Sequence, residues 1–466
     1  MFVVAATMLG HAAIITLAAK PGSQTIKGWG CFIGGPGTYG GINEGPAADA
    51  VFSLGITTVR VGLPGEAYVS GTNVADIVLD DSQIAPLLSA IQMAQKRGVS
   101  YFMSIWSPPP VWKLPDHVGF GFYNGQQQYL DPDKVQEYCN FYTKALLTIQ
   151  AEGGGLPTHI SIQNEPNVPP DNYDGCSYHP VWNGGGGDVL WQTVITTMRS
   201  TLDANGLSSV KIQGTDDGQP FTCIKWLNLF GDGGFTAFDA NPALASAIGA
   251  YAFHSYGDFN DANWYPTLNA EIKKYPKDCW MTEWNDGSSG NQLADAINAT
   301  RHFATDFETL PYTHWVYWIG VGWEYGPGDS NGESLIGSTD GTTLNGSGYH
   351  KPALIFKKIW NIVRPNQGWR VKTCTSDDPD LSNFDPTTGD QTHLISFYKP
   401  GQSVVLIVND HAAGKTVTVQ GLQGKKASLF QTTAKQDMAA LRPRAFSRGR
   451  FTFTVPANSV VVLATN

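Results

Sequence analysis

The feature that most constrains this chain is an alternation. Between Gly28 and about Arg364, eight short strand-type runs are each followed by a helical stretch or a long loop. The strand-type runs fall at 28–31, 57–63, 101–106, 159–163, 210–215, 248–254, 280–283 and 315–319. Helical stretches between them include 82–97, 132–150, 190–204 and 291–309, and a last one, 353–363, ends before Pro365, which continues a helix poorly. Eight such units match the count of a (β/α)8 barrel, the TIM-barrel fold. After Pro365 the pattern changes to short β-rich runs at 392–398, 403–409, 415–419, 426–431, 450–455 and 459–464, separated by Gly, Pro, Asn and Asp. That is the signature of an all-β sandwich. Ile14-Ile15-Thr16-Leu17 also reads as a strand, one that can join the sandwich. The expected architecture is an α/β chain: a barrel over 26–364, and a β-sandwich side domain over 365–466 that takes in a strand from 13–25. The apolar, small-residue segment 1–12 reads as the remnant of a signal peptide, although no Lys or Arg precedes its apolar run.

Composition removes several function classes. At 466 residues, 42% hydrophobic and 15% charged, the chain can bury a large core and is not a disordered one. A net charge of −10 argues against nucleic acid, whose phosphates call for a basic face, and against an anionic membrane surface. Outside the N-terminus no stretch approaches ~20 consecutive apolar residues, so no membrane span is expected. The six cysteines stand far apart without a C-x-x-C pair, which removes the usual zinc and thioredoxin-like signatures. Bridging in an exported protein and burial as small hydrophobes both remain open for them. The 14 tryptophans are natural platforms for sugar faces, but core packing accounts for most tryptophans in any chain.

Two carboxylates carry the chemical information. Glu165 lies in Ser161-Ile162-Gln163-Asn164-Glu165-Pro166-Asn167 and Glu283 in Trp280-Met281-Thr282-Glu283-Trp284-Asn285, each just after a strand-type run. About three βα units of ~30–40 residues fit between them, so a closed barrel puts both at the C-terminal rim, facing one cavity. Paired carboxylates across a cavity suit glycosidic bond cleavage, with one proton donor and one nucleophile. Retaining enzymes hold them ~5 Å apart, and inverting enzymes ~6.5–9.5 Å apart to admit a water. Asn164 can donate a hydrogen bond to a sugar hydroxyl.

At these residues the chain resembles glycoside hydrolase family 30, within the clan of retaining (β/α)8 glycosidases with paired glutamates. The resemblance rests on an ordered set: Gln24-Thr25-Ile26-Lys27-Gly28-Trp29-Gly30, Trp106-Ser107-Pro108-Pro109, Ile162-Gln163-Asn164-Glu165-Pro166, His254-Ser255-Tyr256-Gly257 and Trp280-Met281-Thr282-Glu283. It implies Glu165 as acid/base and Glu283 as nucleophile. It also implies Arg60 as a cation beneath the nucleophile, Trp106 and Trp318 as walls of the sugar site, and Tyr256 as a hydrogen-bond partner of the nucleophile. His254 points the same way as Tyr256, two residues on in a strand. Trp112 and Trp284 are candidates for outer sugar subsites. Members that read glucuronic acid branches share an Arg pair after the eighth strand; here the matching stretch is Ile319-Gly320-Val321-Gly322-Trp323-Glu324-Tyr325-Gly326-Pro327, without an Arg. Neutral glycans therefore gain weight.

The implied function is a secreted or periplasmic, monomeric, endo-acting retaining hydrolase of a neutral polysaccharide such as xylan, a β-1,6-galactan or a β-1,6-glucan. It needs no cofactor or metal. Exo-acting β-glucosidase or β-xylosidase action, or a glucosylceramidase-like activity, belongs under the same chemistry. A non-catalytic carbohydrate-binding barrel is a rival from another class. A metal-dependent barrel hydrolase is a third, poorly served by the scattered His159 and His254 and by the lack of an H-x-H or H-E-x-x-H motif.

Overall fold

The computed structural model describes residues 12–35, 37–166, 174–178, 187–220, 236–256, 264–285, 291–323, 334–385 and 387–466. Eight parallel strands close into a barrel in chain order: β1 Gly28–Phe32, β2 Thr58–Leu63, β3 Ser100–Ile105, β4 His159–Ser161, β5 Lys211–Asp217, β6 Ile248–His254, β7 Asp278–Glu283 and β8 Tyr312–Tyr317. The ring closes where Trp315 of β8 sits beside Trp29 of β1. Helices follow as α1 Pro46–Phe52, α2 Asp81–Lys96, α3 Val135–Ile149, α4 Gly187–Ala204, α5 Pro242–Ala247, α6 Trp264–Lys274, α7 Gln292–Thr309 and α8 Lys351–Ile362. Several start on side-chain caps that satisfy free backbone N–H groups: Asp80 accepts from Ser82 N, and Asn291 accepts from Leu293 N and Ala294 N.

The barrel interior is filled, not hollow. Phe102, Ala250, Trp280 and Val316 from β3, β6, β7 and β8 form a buried cluster, and the Trp280 ring is stacked on His314 at 3.6 Å. Gly28 makes room for that stack, since a Cβ there would lie 2.1 Å from the His314 ring. This plug closes the lower end, so an open cavity can form only at the C-terminal rim.

Apart from small two- and three-stranded sheets in the barrel's loops, the remaining strands form two sheets. One runs in the order Cys374–Ser376, Ala13–Leu17, Lys415–Gln420, Arg450–Val455; the other runs Arg370–Lys372, Leu394–Lys399, Gln402–Asn409, Ser459–Thr465, Lys426–Thr433, Gln436–Ala445. The N-terminal strand pairs antiparallel with Cys374–Ser376 and parallel with Lys415–Gln420. Alternation decides what each face buries. Val405, Ile407, Val461 and Leu463 turn toward Ile15, Leu17, Val417 and Phe453 between the sheets. Val404, Leu406, Val408, Val460 and Val462 turn the other way, into the barrel's own core, where α7 and α8 lie against the sheet.

Two differences from the sequence reading have physical causes. The fourth barrel strand stops at Ser161, because the backbone turns from there to present Asn164 and Glu165. The strand Gln436–Ala445 was not anticipated: almost every residue in it is exposed, so it lacks alternation, and it contains Pro443, tolerated because this is an edge strand. Of the cysteines, left open by the sequence between bridging and burial, Cys31, Cys139, Cys176 and Cys374 are unbridged and buried; Cys279 is also buried, and Cys223 lies outside the described residues. Residues 1–11, Asn167, the glycines at 184–186, Gly257 and residues 324–327 also lie outside the described residues. Among the described residues no helix is long and apolar enough to cross a membrane.

Candidate active site

The strand ends gather the candidate residues. Beyond β4, Asn164 N donates to Ile105 O at 2.7 Å and Glu165 N donates to Asp216 O at 2.9 Å, so the turn is tied to β3 on one side and β5 on the other. Glu165 (φ 44°) and Asp216 (φ 60°) both sit in left-handed backbone, which costs a non-glycine residue about 1–3 kcal/mol and persists only where the surroundings dictate it. Glu283 is the last residue of β7 and His254 the last of β6. Alternation past β6 turns His254 and Tyr256 inward. Ser255 between them faces α7, where its hydroxyl donates to Asp306 at 2.6 Å and lies 2.9 Å from His302 Nε2. Burial pushes the Asp306 carboxyl up to about 7 and holds the His302 imidazole down at about 3.

One oxygen of Glu165, one of Glu283 and a ring nitrogen of His254 all lie within 4.8 Å of one another. Four groups set the electrostatics around them. Arg60, fully buried on β2, donates to Glu283 Oε2, to Asn164 Oδ1 at 2.6 Å, to Asp216 Oδ2 at 3.0 Å and to Ser104 Oγ at 3.1 Å. Asp216 also accepts from Thr282 Oγ1 at 2.6 Å and Ser104 Oγ at 3.0 Å. Burial raises its pKa, but Arg60, His254 and Thr282 outweigh that and hold it well below the usual carboxylate range. His254 Nδ1 lies 2.9 Å from Glu165 Oε1 and 3.7 Å from Glu283 Oε1, with Nε2 3.6 Å from Asp216. Burial disfavours its charge, yet Glu283, Asp216 and Glu165 together push it up to about 10, so the ring is an imidazolium at neutral pH. Burial raises the Glu283 carboxyl, against the charges of His254 and Arg60, and Tyr256 donates to Glu283 Oε1 at 3.2 Å.

Above this floor opens a cavity of about 990 Å³. Phe32, Tyr39, Trp106 and Trp318 make one wall, with the Phe32 and Trp318 rings 4.4 Å apart and Trp106 5.8 Å from Trp318. The Arg60 guanidinium lies 4.8 Å from the centre of the Trp106 ring. Because Asn164 Oδ1 is taken by Arg60, its amide NH2 is the end left to face the cavity.

The structure brings Asn164, Glu165, Trp106, Tyr256, Glu283 and Trp318 to the cavity lining, and sets Arg60 and His254 beneath it in contact with the carboxylates. Trp112 and Trp284 do not belong there. Trp112 is buried against Tyr68 and Phe141, and Trp284 is buried in a stack on His302 with ring centres 3.9 Å apart. Both rings point into packed core behind the rim, so neither is an outer subsite. Sequence reasoning missed Asp216, Ser104 and Thr282 beneath the site and Phe32, Tyr39, Glu66 and Asp174 around it. Only Asp216-Asp217 offered a signal, as a carboxylate pair directly after a strand-type run. The Glu165, His254 and Glu283 donors are close enough to face a cation, but a metal ligand must be a neutral imidazole. His254 is protonated and Arg60 already neutralises Glu283, so this donor set suits a metal poorly.

No family model matches the sequence, and no curated protein does. Solved structures do match over nearly the whole chain. A glycoside hydrolase family 30 subfamily 8 xylanase from Clostridium acetobutylicum shares 19% identity at a TM-score of 0.69, covering 97% of this chain and 99% of its own. An endo-β-1,6-glucanase shares 17% identity at 0.66, covering 97% and 94%. A conserved exported protein from Bacteroides fragilis shares 14% at 0.70, covering 97% and 100%. Likeness at this identity speaks to architecture, and the architecture of this chain is the barrel-plus-sandwich fold of glycoside hydrolase family 30 structures.

Proposed function

We propose that the chain is a retaining, endo-acting glycoside hydrolase of a neutral polysaccharide, with Glu283 as nucleophile and Glu165 as acid/base. The observation that supports this reading is the close approach of the two glutamates: one oxygen of each lies within 4.8 Å of the other, nearer the ~5 Å of retaining enzymes than the ~6.5–9.5 Å of inverting ones. Glu283 would attack the anomeric carbon while Glu165 protonates the departing oxygen; water would then release the sugar, with Glu165 taking the proton back. The roles follow the surroundings. Glu283 is gripped by Arg60 and Tyr256 on its two oxygens, which aims it and offsets part of the upward push of burial, and Glu165 projects beside His254 at the cavity edge. Asn164 would hand its amide N–H to a sugar hydroxyl, and Trp106 and Trp318 would pack against the ring.

Charge supports a neutral substrate. Glu66, Asp174, Glu165 and Glu283 line the cavity, and among the described lining residues there is no lysine or arginine. Burial and a hydrogen bond to Asp174 raise the Glu66 carboxyl to about 7. A uronate or sulfate there would meet like charge. The solved neighbours named for their substrates include xylanases, an endo-β-1,6-glucanase and a glucosidase, which puts xylan and β-1,6-glucan first among polymers, with β-1,6-galactan next; a polymeric substrate would place the enzyme outside the cytoplasm.

The test is a panel of neutral and uronate-bearing polysaccharides with product sizing. Wild type should release reducing ends from a neutral polymer, and Glu283→Ala should be inactive. Glu165→Ala should turn over substrates with good leaving groups slowly, and azide should rescue it to a β-linked azide. Equal activity of wild type and Glu283→Ala would sink the reading, and azide rescue of Glu283→Ala with retained anomer would reverse the two roles.

A further inference from the structure

A second group of metal-ligating side chains lies far from the cavity, where the sandwich meets α7. His393 directly precedes the strand Leu394–Lys399, and Asp410-His411 directly follows its neighbour Gln402–Asn409. The antiparallel pairing of Leu394 with Ile407 therefore brings the three to one end of the sheet. Asp380, in the turn Pro379–Leu381, approaches from the side. The ligand atoms of His393, Asp410 and His411 lie within 4.8 Å of one another. Asp410 Oδ1 is 3.2 Å from His393 Nε2 and 3.4 Å from His411 Nε2, and His411 Nε2 is 3.9 Å from Asp380 Oδ1.

His393 Nε2 and Asp410 Oδ1 are in hydrogen-bond contact, whereas the two His411 separations are longer than the ~2.7–3.2 Å of N···O hydrogen bonds. The 3.2 and 3.4 Å separations are close to the edges of a zinc tetrahedron, since ligand bonds of ~2.0–2.2 Å put neighbouring donors about 3.3–3.6 Å apart. The unused faces of the carboxylates make the same point. Asp410 gives Oδ2 to Arg301 Nη1 at 2.7 Å and turns Oδ1 to the imidazoles; Asp380 gives Oδ2 to Lys415 at 2.7 Å and turns Oδ1 to His411. Outer partners of this kind orient metal ligands. The His393 side chain is nearly buried, which fixes its ring toward Asp410. Asp378, also on Lys415, adds a third carboxylate against two cations, so the pocket retains net negative charge.

We propose that His393, Asp410 and His411 form a three-ligand binding site, with a fourth position open to water, for a zinc-class divalent cation that staples two turns of the sandwich together. Arg301 extends that staple to the barrel, because it lies on α7 and also donates to Gln391 O at 2.8 Å. The site is separate from the catalytic reading and does not depend on it.

The experiment uses the full chain, stripped with chelator and titrated with ZnCl2 by calorimetry and with Co2+ by visible absorption. Wild type should bind one Zn2+ and show the intense d–d bands of tetrahedral Co2+. His411→Ala, at a half-exposed position that should not disturb folding, should bind at least about tenfold more weakly and lose the bands. Glu165→Gln/Glu283→Gln should bind as wild type does, which separates this site from the catalytic cluster. Absence of Zn2+ binding in wild type, undiminished binding in His411→Ala, or loss of binding in the double glutamate variant would each overturn the proposal.

Discussion

The imidazolium of His254 makes stability depend on alkaline pH in a way that one substitution should remove. The folded ring titrates near 10 because Glu283, Asp216 and Glu165 face it in a site with no exposure, whereas in the unfolded chain it titrates near its ordinary value of about 6.5. A folded pKa above the unfolded one means the contribution is complete below about pH 6.5. It fades at up to about 1.4 kcal/mol per pH unit as pH rises, and is gone once pH passes about 10. Over the full interval this amounts to roughly 4–5 kcal/mol. The measurement is urea unfolding of wild type and His254→Gln at about pH 6, 8 and 10, comparing midpoints at unchanged slope. Other groups that titrate in this range, including buried cysteines and tyrosines, are common to both proteins and cancel in the difference. Wild type should lose its advantage over the variant steadily across the series. A difference constant to within about 1 kcal/mol from pH 6 to 10 would refute the claim that three carboxylates hold a proton on this ring.

Two further perturbations probe the frame of the site and the sandwich. Asp216→Asn removes the anion between Arg60 and His254, and breaking a buried pair in this way should cost about 3–5 kcal/mol at neutral pH. Because the folded pKa of Asp216 is depressed, the gap from wild type should narrow below about pH 4, where the unfolded aspartate protonates; equilibrium unfolding against pH checks this, with kcat on a good substrate falling in parallel. Ile15→Ala, in the buried face of the N-terminal strand, should cost about 2–5 kcal/mol, whereas Thr16→Ala on the exposed face should stay within about 0.5 kcal/mol; thermal and urea unfolding would show both.

The barrel was readable because its strands are short apolar runs punctuated by amphipathic helices, a pattern that depends on local residues alone. Runs such as 248–254 coincide with the observed strand to the residue, while the run at 159–163 overshoots, since Ile162 and Gln163 look like strand but belong to the turn that presents Glu165. The glutamates stood out because charge at the end of an apolar run is chemically conspicuous, whereas Arg60, in the middle of its run, was implied only by the family resemblance. Asp216 did not stand out: an aspartate pair after a strand reads as an ordinary turn, and its contacts with Arg60, Thr282 and Ser104 come from residues 66 to 156 positions away. Tryptophan is ambiguous for a different reason. Trp106 and Trp112 are six residues apart and similar in local context, yet one lines the cavity and the other packs on Tyr68, a choice made by tertiary geometry. The strand Gln436–Ala445 buries little beyond Met438, so no period marks it in the sequence, and it pairs along the backbone edge of Lys426–Thr433.

The strand Ala13–Leu17 is synthesised before the barrel, yet both neighbours that complete its hydrogen bonding are synthesised after it. During translation it must wait, apolar and unpaired, while the entire barrel is made. The sandwich is thus a clasp fastened at the end, and a ribosome that stalled before Lys415 would release a chain whose first strand still lacked one of its two neighbours.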